Sequence, residues 1–132
     1  MTKHILVLDD RQVFLTLMRM LLEDEDYQVS VLQQGKGAVD RIREVMPDLV
    51  ILDLKLADAS GTDILVGLRA QSSTADIPVI VYSAAVLESE AISNLISGNP
   101  TRYANVSVLQ KPFDLDTLLE RVQQVIGATW SS

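Results

Sequence analysis

Apolar runs of four or five residues recur along this chain, separated by longer segments in which apolar residues return at helical spacing. The continuous runs cover residues 4–8, 49–52, 78–82 and 106–109, and a weaker alternation covers residues 28–32. Runs of this length and composition are typical of strands that are covered on both faces. Five strands alternating with helices predict βαβ units and an α/β fold, with a doubly wound parallel sheet flanked by five helices.

The five helices are predicted from apolar spacing and from signals at their ends. Their apolar positions, helix by helix, are Val13, Leu17, Met20 and Leu21; Val39 and Ile42; Ile64, Leu65 and Leu68; the run 87–96; and Leu115, Leu118, Leu119, Val122, Val125 and Ile126. Helix two is predicted over residues 35–44 with Pro47 closing the segment, and helix four weakens at the breaker 98–100. Asp114 is a natural N-cap for helix five, and Gly127 ends that helix.

The length and composition fit one domain that can bury a core. The chain has 132 residues, of which 48% are hydrophobic and 22% are charged, and this balance argues against wholesale disorder. We expect the domain to cover residues 1–126 and residues 127–132 to be a C-terminal tail or a linker stub. The net charge of −7 argues against direct binding of nucleic acid, because the phosphate backbone attracts cations.

Two further features of composition limit the possible functions. The chain contains no cysteine, which excludes disulfides, thiolate metal sites and cysteine nucleophiles. No apolar run approaches the length needed to cross a membrane, and the N-terminus passes directly into a strand pattern instead of a signal-peptide core. We therefore expect a cytoplasmic protein with no membrane partner.

Chemically useful side chains follow four of the predicted strands. Asp9 and Asp10 follow the first strand, Asp53 the third and Ser83 the fourth, and Lys111 comes shortly after the last. Because the carboxyl ends of parallel strands meet at one edge of a sheet, we expect these five side chains to form one site. Carboxylate oxygens are the ligands that Mg²⁺ prefers, and a hydroxyl and an ammonium group are suitable donors to phosphoryl oxygens. The sequence therefore predicts a magnesium site that handles a phosphoryl group.

Each of these residues also has a structural explanation. An aspartate before a helix commonly caps it, and capping would account for Asp9 and Asp10 on their own. Ser83 could be a small turn residue and Lys111 a solvated surface lysine. Asp53, however, ends a fully apolar strand, where an unpaired carboxylate is costly. Three carboxylates brought together require a cation, and a carboxylate can attack phosphorus to form an acyl phosphate.

Taken in order, these motifs resemble the receiver domain of bacterial two-component response regulators, of the chemotaxis-regulator class, across essentially the whole chain. The matching motifs are Leu8-Asp9-Asp10, Asp53, Gly61 eight residues later, Ser83-Ala84 and Lys111-Pro112-Phe113. Each motif is weak alone, but the set is specific because every member stands at a predicted strand end or loop. The resemblance implies a flavodoxin-like sheet with the strand order 2-1-3-4-5.

The resemblance also implies a function, which is phosphorelay signal transduction. Asp53 would take a phosphoryl group, as an aspartyl phosphate, from a phosphohistidine on a histidine kinase or a histidine phosphotransfer protein. Asp10, Asp53 and the backbone carbonyl of Lys55 would bind Mg²⁺, while Asp9 would act largely through a bound water. Such a phosphoprotein is a regulatory domain and not an enzyme, although it assists its own phosphoryl transfer and dephosphorylation.

The output of such a domain would begin at the phosphoryl oxygens, which Ser83 and Lys111 would hold. The aromatic residue that usually rotates on strand five is replaced here by Val108, so another element must report phosphorylation. The segment of residues 84–105 begins beside Ser83, is longer than is usual in the family and contains a helix breaker, so its local stability should be low. We expect this segment and the face of the last helix to contact a downstream protein or a second copy in a homodimer.

Three positions near the expected site depart from the family pattern. Ala57 stands where a proline is usual, and Lys55 stands where Asn, Met or Arg is frequent and could reach the phosphoryl group. Ala85, two residues past Ser83, cannot position a hydrolytic water. We expect the phosphorylation chemistry to survive these changes.

Three other functions are compatible with parts of this pattern. A receiver-like module could bind a partner without being phosphorylated, but the complete set of acids, hydroxyl and lysine argues against it. A phosphatase of the haloacid dehalogenase type also uses Asp, Ser or Thr, and Lys, but it needs a second acid two residues after its nucleophile, which Asp9-Asp10-Arg11-Gln12 does not supply. Dinucleotide binding is not predicted, because no Gly-rich turn follows strand one.

Overall fold

The computed structural model of the protein describes residues 2–83, 86–110 and 114–127, and for residues 86–89 and 110 it describes the backbone alone. Five strands form one parallel sheet in the order β2-β1-β3-β4-β5, which confirms the predicted flavodoxin-like architecture. Its elements, in chain order, are β1 (His4–Leu8), α1 (Gln12–Asp24), β2 (Gln28–Leu32), α2 (Ala38–Val45), β3 (Leu49–Asp53), α3 (Gly61–Arg69), β4 (Val79–Ser83), α4 (Val86–Gly98), β5 (Val106–Gln110) and α5 (Leu115–Ile126). Within the described residues, none of these helices is both long enough and apolar enough to span a membrane.

Alternate side chains of each strand pack on opposite faces of the sheet, which divides the core into two layers. In β1, Leu6 and Leu8 join a buried cluster with residues of α2, α3 and α4, whereas Ile5 and Val7 join a second cluster with residues of α1 and α5. The central strand β3 is buried over its whole length. Burial of each Leu or Ile side chain stabilises the fold by about 1.5–3 kcal/mol, so the strand ends are held in a firmly packed frame.

The apolar residues whose spacing predicted helix α1 are not the ones that form its packed face. They are mostly exposed, with exposed fractions of 83% at Val13, 45% at Leu17 and 64% at Met20. Helix α1 carries two apolar stripes, and spacing alone does not tell which stripe meets the sheet. Its buried residues are Leu15, Met18 and Leu22.

Helix α2 begins at Ala38, later than the predicted start at Gly35. The residue before it, Gly37, has a φ of 74°, a left-handed conformation that glycine adopts readily and that a helix cannot continue through. At the other end Met46 is also left-handed, with a φ of 50°, and Pro47 follows it. The predicted end of the segment at Pro47 is therefore confirmed, because the residue before a proline is pushed out of the helical conformation.

A buried arginine lies at the amino edge of the sheet, where β4 and β5 begin. The Arg69 side chain, at the end of α3, donates from Nη1 to the carbonyl oxygen of Thr74 at 3.3 Å and from Nη2 to that of Ala104 at 3.2 Å. The Thr74 hydroxyl donates in turn to the carbonyl oxygen of Leu68 at 2.5 Å. We name Arg69, Thr74 and Ala104 the amino-edge clasp, since their bonds tie the end of α3 to the segments that lead into β4 and β5.

All three tyrosines of the chain are buried, each in a different part of the fold. Tyr82 lies in β4 near the carboxyl edge, and Tyr103 lies in the segment before β5. Tyr27 precedes β2, and its hydroxyl donates to the carbonyl oxygen of Gly127 at 2.8 Å. That bond ties the start of β2 to the end of α5.

Candidate functional site

Three aspartates meet at the carboxyl edge of the sheet. Asp9 and Asp10 directly follow β1, and Asp53 is the last residue of the neighbouring strand β3. One oxygen of each carboxylate lies within 4.8 Å of the corresponding oxygens of the other two. Carboxylates held this close repel one another, and a cation between them lowers that repulsion. The structure thus brings together the three acids that the sequence singled out.

Asp53 is enclosed in the sheet and shaped by the loop that follows it. Its side chain is almost fully buried, and its Oδ1 accepts from the N–H of Lys55 at 3.0 Å. Gly61, at the start of α3, packs against this backbone: a Cβ there would lie 2.3 Å from the carbonyl oxygen of Asp53 and 2.6 Å from the Cα of Leu54. Only glycine permits this approach, which explains physically why a glycine stands eight residues after Asp53.

Asp10 accepts a hydrogen bond from Ala57, at the position where the family usually has a proline. Its Oδ2 accepts from the backbone N–H of Ala57 at 2.7 Å. Proline has no N–H, so this hydrogen bond depends on the departure at Ala57 that the sequence shows. The same loop is fixed to the start of α2 by Asp58, which accepts from the N–H groups of Gly35 at 2.9 Å and Lys36 at 3.0 Å. These backbone hydrogen bonds hold the pKa of Asp58 below its usual range.

Asp9 is the most enclosed of the three acids. It is fully buried, and Arg11 donates to it from the backbone N–H at 2.8 Å, from Nε at 3.1 Å and from Nη2 at 2.8 Å. The Tyr82 hydroxyl donates to the same carboxylate at 2.5 Å. Burial favours the neutral form of Asp9, but the hydrogen bonds from Arg11 and Tyr82 outweigh it and hold the pKa of Asp9 below its usual range. Burial, followed by the charge of Asp9, raises the pKa of Tyr82, so its phenol stays protonated as a donor.

Aromatic rings complete the surroundings of Asp9. The guanidinium carbon of Arg11 lies 4.6 Å from the ring centroid of Phe14, and the rings of Phe14 and Tyr82 have centroids 5.6 Å apart. We name Asp9, Arg11, Phe14 and Tyr82 the Asp9 cluster. Arg11 and Tyr82 were not predicted to belong to the site, although Arg11 directly follows the acidic pair and Tyr82 directly precedes Ser83.

The remaining predicted site residues differ in burial, and one of them lies outside the described residues. Ser83 is fully buried at the end of β4, one residue past the partner of Asp53 in the β3–β4 register. The side chain of Lys55 is exposed. Strand β5 ends at Gln110, the register partner of Ser83, and Lys111, the next residue of the sequence, lies outside the described residues.

Two of the departures from the family pattern are at Val108 and Ala85. Val108 is partly buried in β5 and pairs with Val81, so no aromatic ring stands at this position. Ala84 and Ala85 lie outside the described residues. How phosphorylation of Asp53 would alter an output surface therefore stays a proposal.

Comparison with known proteins identifies the family. Residues 5–123 match the family model described as the response regulator receiver domain. The transcriptional regulatory protein KdpE of Mycobacterium tuberculosis is 37% identical over 122 residues, which are 92% of this chain and 50% of that protein. The polar-differentiation response regulator DivK of Brucella abortus is 26% identical over 127 residues, which are 96% of this chain and 98% of that protein. The chain thus spans about half the length of KdpE and almost the whole of DivK.

A solved structure agrees with these matches. The receiver domain of a sensor histidine kinase from Pseudomonas aeruginosa superposes with a TM-score of 0.78 at 25% identity, covering 97% of this chain and all of that one. In that crystal structure a magnesium ion is coordinated in the active site cleft.

Proposed function

This chain belongs to the response regulator receiver domain family, and on that premise we propose that it accepts a phosphoryl group on Asp53 from a phosphohistidine of a partner protein. Receiver domains are regulatory, and the proposed partner is a histidine kinase or a histidine phosphotransfer protein acting in the cytoplasm. The observation that carries the proposal is the convergence of Asp9, Asp10 and Asp53, with one oxygen of each within 4.8 Å of the others.

Among the three acids, we propose Asp53 as the acceptor. Asp9 is fully buried and its carboxylate is engaged by Arg11 and Tyr82. Asp53 ends the central strand, one register step from the hydroxyl-bearing Ser83. In the proposed transfer an oxygen of Asp53 forms the bond to phosphorus while the bond from phosphorus to the histidine nitrogen breaks.

The residues present fit a magnesium ion, because carboxylate oxygens are the donors that this hard cation prefers. We propose that Asp10, Asp53 and the backbone carbonyl of Lys55 hold it, with Asp9 beside them. The ion would offset the charge of the carboxylates and of the arriving phosphoryl group. The magnesium ion in the Pseudomonas aeruginosa receiver domain supports this proposal.

Ser83 and Lys111 are proposed to bind the phosphoryl oxygens, Ser83 through its hydroxyl and Lys111 through its ammonium group. Lys111 would then sense the added negative charge. A Lys111→Ala variant is expected to accept phosphate, though more slowly, and to bind a downstream partner no better than the unphosphorylated protein. If the phosphorylated variant binds that partner as the parent does, Lys111 is not the coupling residue.

The test of the acceptor is intact-mass analysis after incubation with acetyl phosphate and Mg²⁺. The parent is expected to gain one phosphate and Asp53→Asn none. Asp76→Asn, the same change at an exposed aspartate before β4, is the matched control and should be labelled like the parent. Equal labelling of Asp53→Asn would place the phosphate elsewhere. No labelling of the parent would favour a receiver-like module that binds its partner without phosphorylation.

For the output, we propose that residues 84–105 and the outer face of α5 form the surface that changes on phosphorylation. One end of this segment is tied to α3 through the hydrogen bond from Arg69 to Ala104. Hydrogen exchange with and without beryllofluoride should show altered protection in residues 84–105. Changes confined to the loops that carry Asp10 and Asp53 would rule this surface out.

A further inference from the structure

We propose that Arg11 is a built-in counter-cation of the carboxylate site, which withholds Asp9 from a bound divalent ion and thereby sets the affinity of the site for Mg²⁺. The inference rests on the proposed magnesium site. It departs from the water-mediated role that the family resemblance implies for Asp9.

The hydrogen-bond acceptor capacity of Asp9 is fully used within the protein. An ionised carboxylate has about four lone-pair positions for hydrogen bonds. Oδ1 accepts from the N–H and Nε of Arg11, and Oδ2 accepts from Nη2 of Arg11 and from the hydroxyl of Tyr82. All of these positions are in use, so Asp9 could accept from a metal-bound water only after Arg11 or Tyr82 moves away.

Arg11 is held in place by several contacts. Its guanidinium binds both oxygens of Asp9 in a fork arrangement, which lysine cannot reproduce, and it lies over the ring of Phe14 at 4.6 Å. Its own backbone N–H binds the same carboxylate. The side chain is therefore fixed at several points, although about half of its surface is exposed.

The positive charge of Arg11 lies at the edge of the group of three acids. Its Nη2 forms an ion pair with Oδ2 of Asp9 at 2.8 Å, and Asp9 has an oxygen within 4.8 Å of oxygens of Asp10 and Asp53. A divalent ion entering the site thus meets three carboxylates and one guanidinium, and not three carboxylates alone. Removing that positive charge should raise the affinity for Mg²⁺ about tenfold, allowing for solvent screening of the half-exposed guanidinium.

The test is a calorimetric titration of the full chain with Mg²⁺ alone, without any phosphodonor. Arg11→Gln is expected to bind Mg²⁺ about tenfold more tightly than the parent, because Asp9 and its charge become available. Arg11→Lys keeps the charge but loses the fork arrangement, so its affinity should fall between those two. Arg19→Gln, the same change on the exposed surface of α1, is the matched control for net charge and should bind like the parent.

A double variant tests whether Asp9 itself serves the metal. Arg11→Gln with Asp9→Asn removes the ion pair as a neutral unit, so Mg²⁺ affinity should stay within about threefold of the parent if Asp9 is withheld. A loss as large as that of Asp10→Asn would show that Asp9 serves the ion and would overturn the inference. Urea unfolding of each variant confirms that the titrated protein is folded.

The outcomes separate this inference from the proposed function. If Asp10→Asn binds Mg²⁺ like the parent, the proposed magnesium site is wrong. If Asp10→Asn loses binding while Arg11→Gln and Arg11→Lys bind no more tightly than the parent, the site stands and the role of Arg11 is refuted.

Discussion

At the carboxyl edge of the sheet three aspartates lie within 4.8 Å of one another, whereas at the amino edge one arginine, Arg69, is buried against carbonyl oxygens. The acids repel one another, and they gain from any cation or donor that arrives. Arg69 instead joins segments of the fold through neutral partners that are always present. A buried charge is therefore not a mark of function by itself. Like charges held together at strand ends are the stronger indication, because folding alone gives no reason to assemble them.

This comparison predicts that substitutions at the amino edge lower the free energy of unfolding and leave Mg²⁺ binding unchanged. Most substitutions at the carboxyl edge should instead change Mg²⁺ binding and have little effect on the free energy of unfolding. Gly61 is the exception, since it lies at the carboxyl edge but makes a purely structural contact.

Gly61→Ala should have the largest effect on stability. The new Cβ would lie 2.3 Å from the carbonyl oxygen of Asp53, so the backbone must shift. We expect the free energy of unfolding in urea to fall by about 3–4 kcal/mol. The matched control is Gly98→Ala, where a Cβ meets no atom within 4 Å and stability should be unchanged or slightly higher. A Gly61→Ala protein as stable as the parent would contradict the close approach seen here.

Arg69→Met should be next, and it tests the amino edge directly. The carbonyl oxygens of Thr74 and Ala104 would lose their guanidinium donor, at a cost of about 2–3 kcal/mol in the free energy of unfolding. Part of that cost is offset, because Nε of Arg69 has no hydrogen-bond partner among the described residues. Arg43→Met, at an exposed arginine paired with Asp40, should cost at most about 0.5 kcal/mol.

The Mg²⁺ affinity of the Arg69→Met variant tests whether the two edges of the sheet are independent. Folded Arg69→Met protein should bind Mg²⁺ like the parent. A changed affinity would show that the two edges are coupled and would end the simple contrast between them.

Thr74→Val should have a smaller effect of the same kind. It removes the hydroxyl that donates to the carbonyl oxygen of Leu68 and leaves that buried oxygen short of a donor, which costs about 1–2 kcal/mol. Thr74→Ser keeps the hydroxyl and is the matched control. A Thr74→Val protein as stable as the parent, beside a less stable Thr74→Ser protein, would show that the methyl group of Thr74, and not its hydroxyl, supports the amino-edge clasp.

Asp58→Asn should have the smallest effect, and one that depends on pH. The pKa of Asp58 in the folded protein is below its usual range because Gly35 and Lys36 donate to the carboxylate. Its ionised form therefore stabilises the fold above the unfolded pKa of about 4, and that contribution is lost as the pH falls through the folded value. The variant should be slightly less stable than the parent at pH 6, and the difference should shrink as the pH is lowered below about 4. A difference that stays constant down to acid would contradict this origin.

The sequence predicted the strands and the meeting of the acids because both depend on local periodicity and on one general rule for parallel sheets. The unbroken apolar run before Asp53 sufficed to place that residue at the edge of a buried strand. The packed face of α1 could not be predicted for a physical reason: Val13 and Leu17 belong to one of two apolar stripes, and only the packing of the whole molecule selects between them. No local pattern could pair Tyr82 with Asp9, which stands 73 residues earlier, or Arg69 with Ala104.

The placement of the three tyrosines makes the contrast between the edges visible to spectroscopy without any substitution of the surrounding residues. Fluorotyrosine incorporated throughout the chain would give one ¹⁹F resonance for each of Tyr27, Tyr82 and Tyr103. Tyr82 touches Asp9 at the carboxyl edge, while Tyr103 lies near the amino-edge clasp and Tyr27 near the end of α5. Because all three rings are buried, their resonances respond to changes in packing more than to solvent. In a Mg²⁺ titration, the resonance of Tyr82 would report on the site of the three acids, and the resonances of Tyr27 and Tyr103 would report on the packing of the rest of the fold.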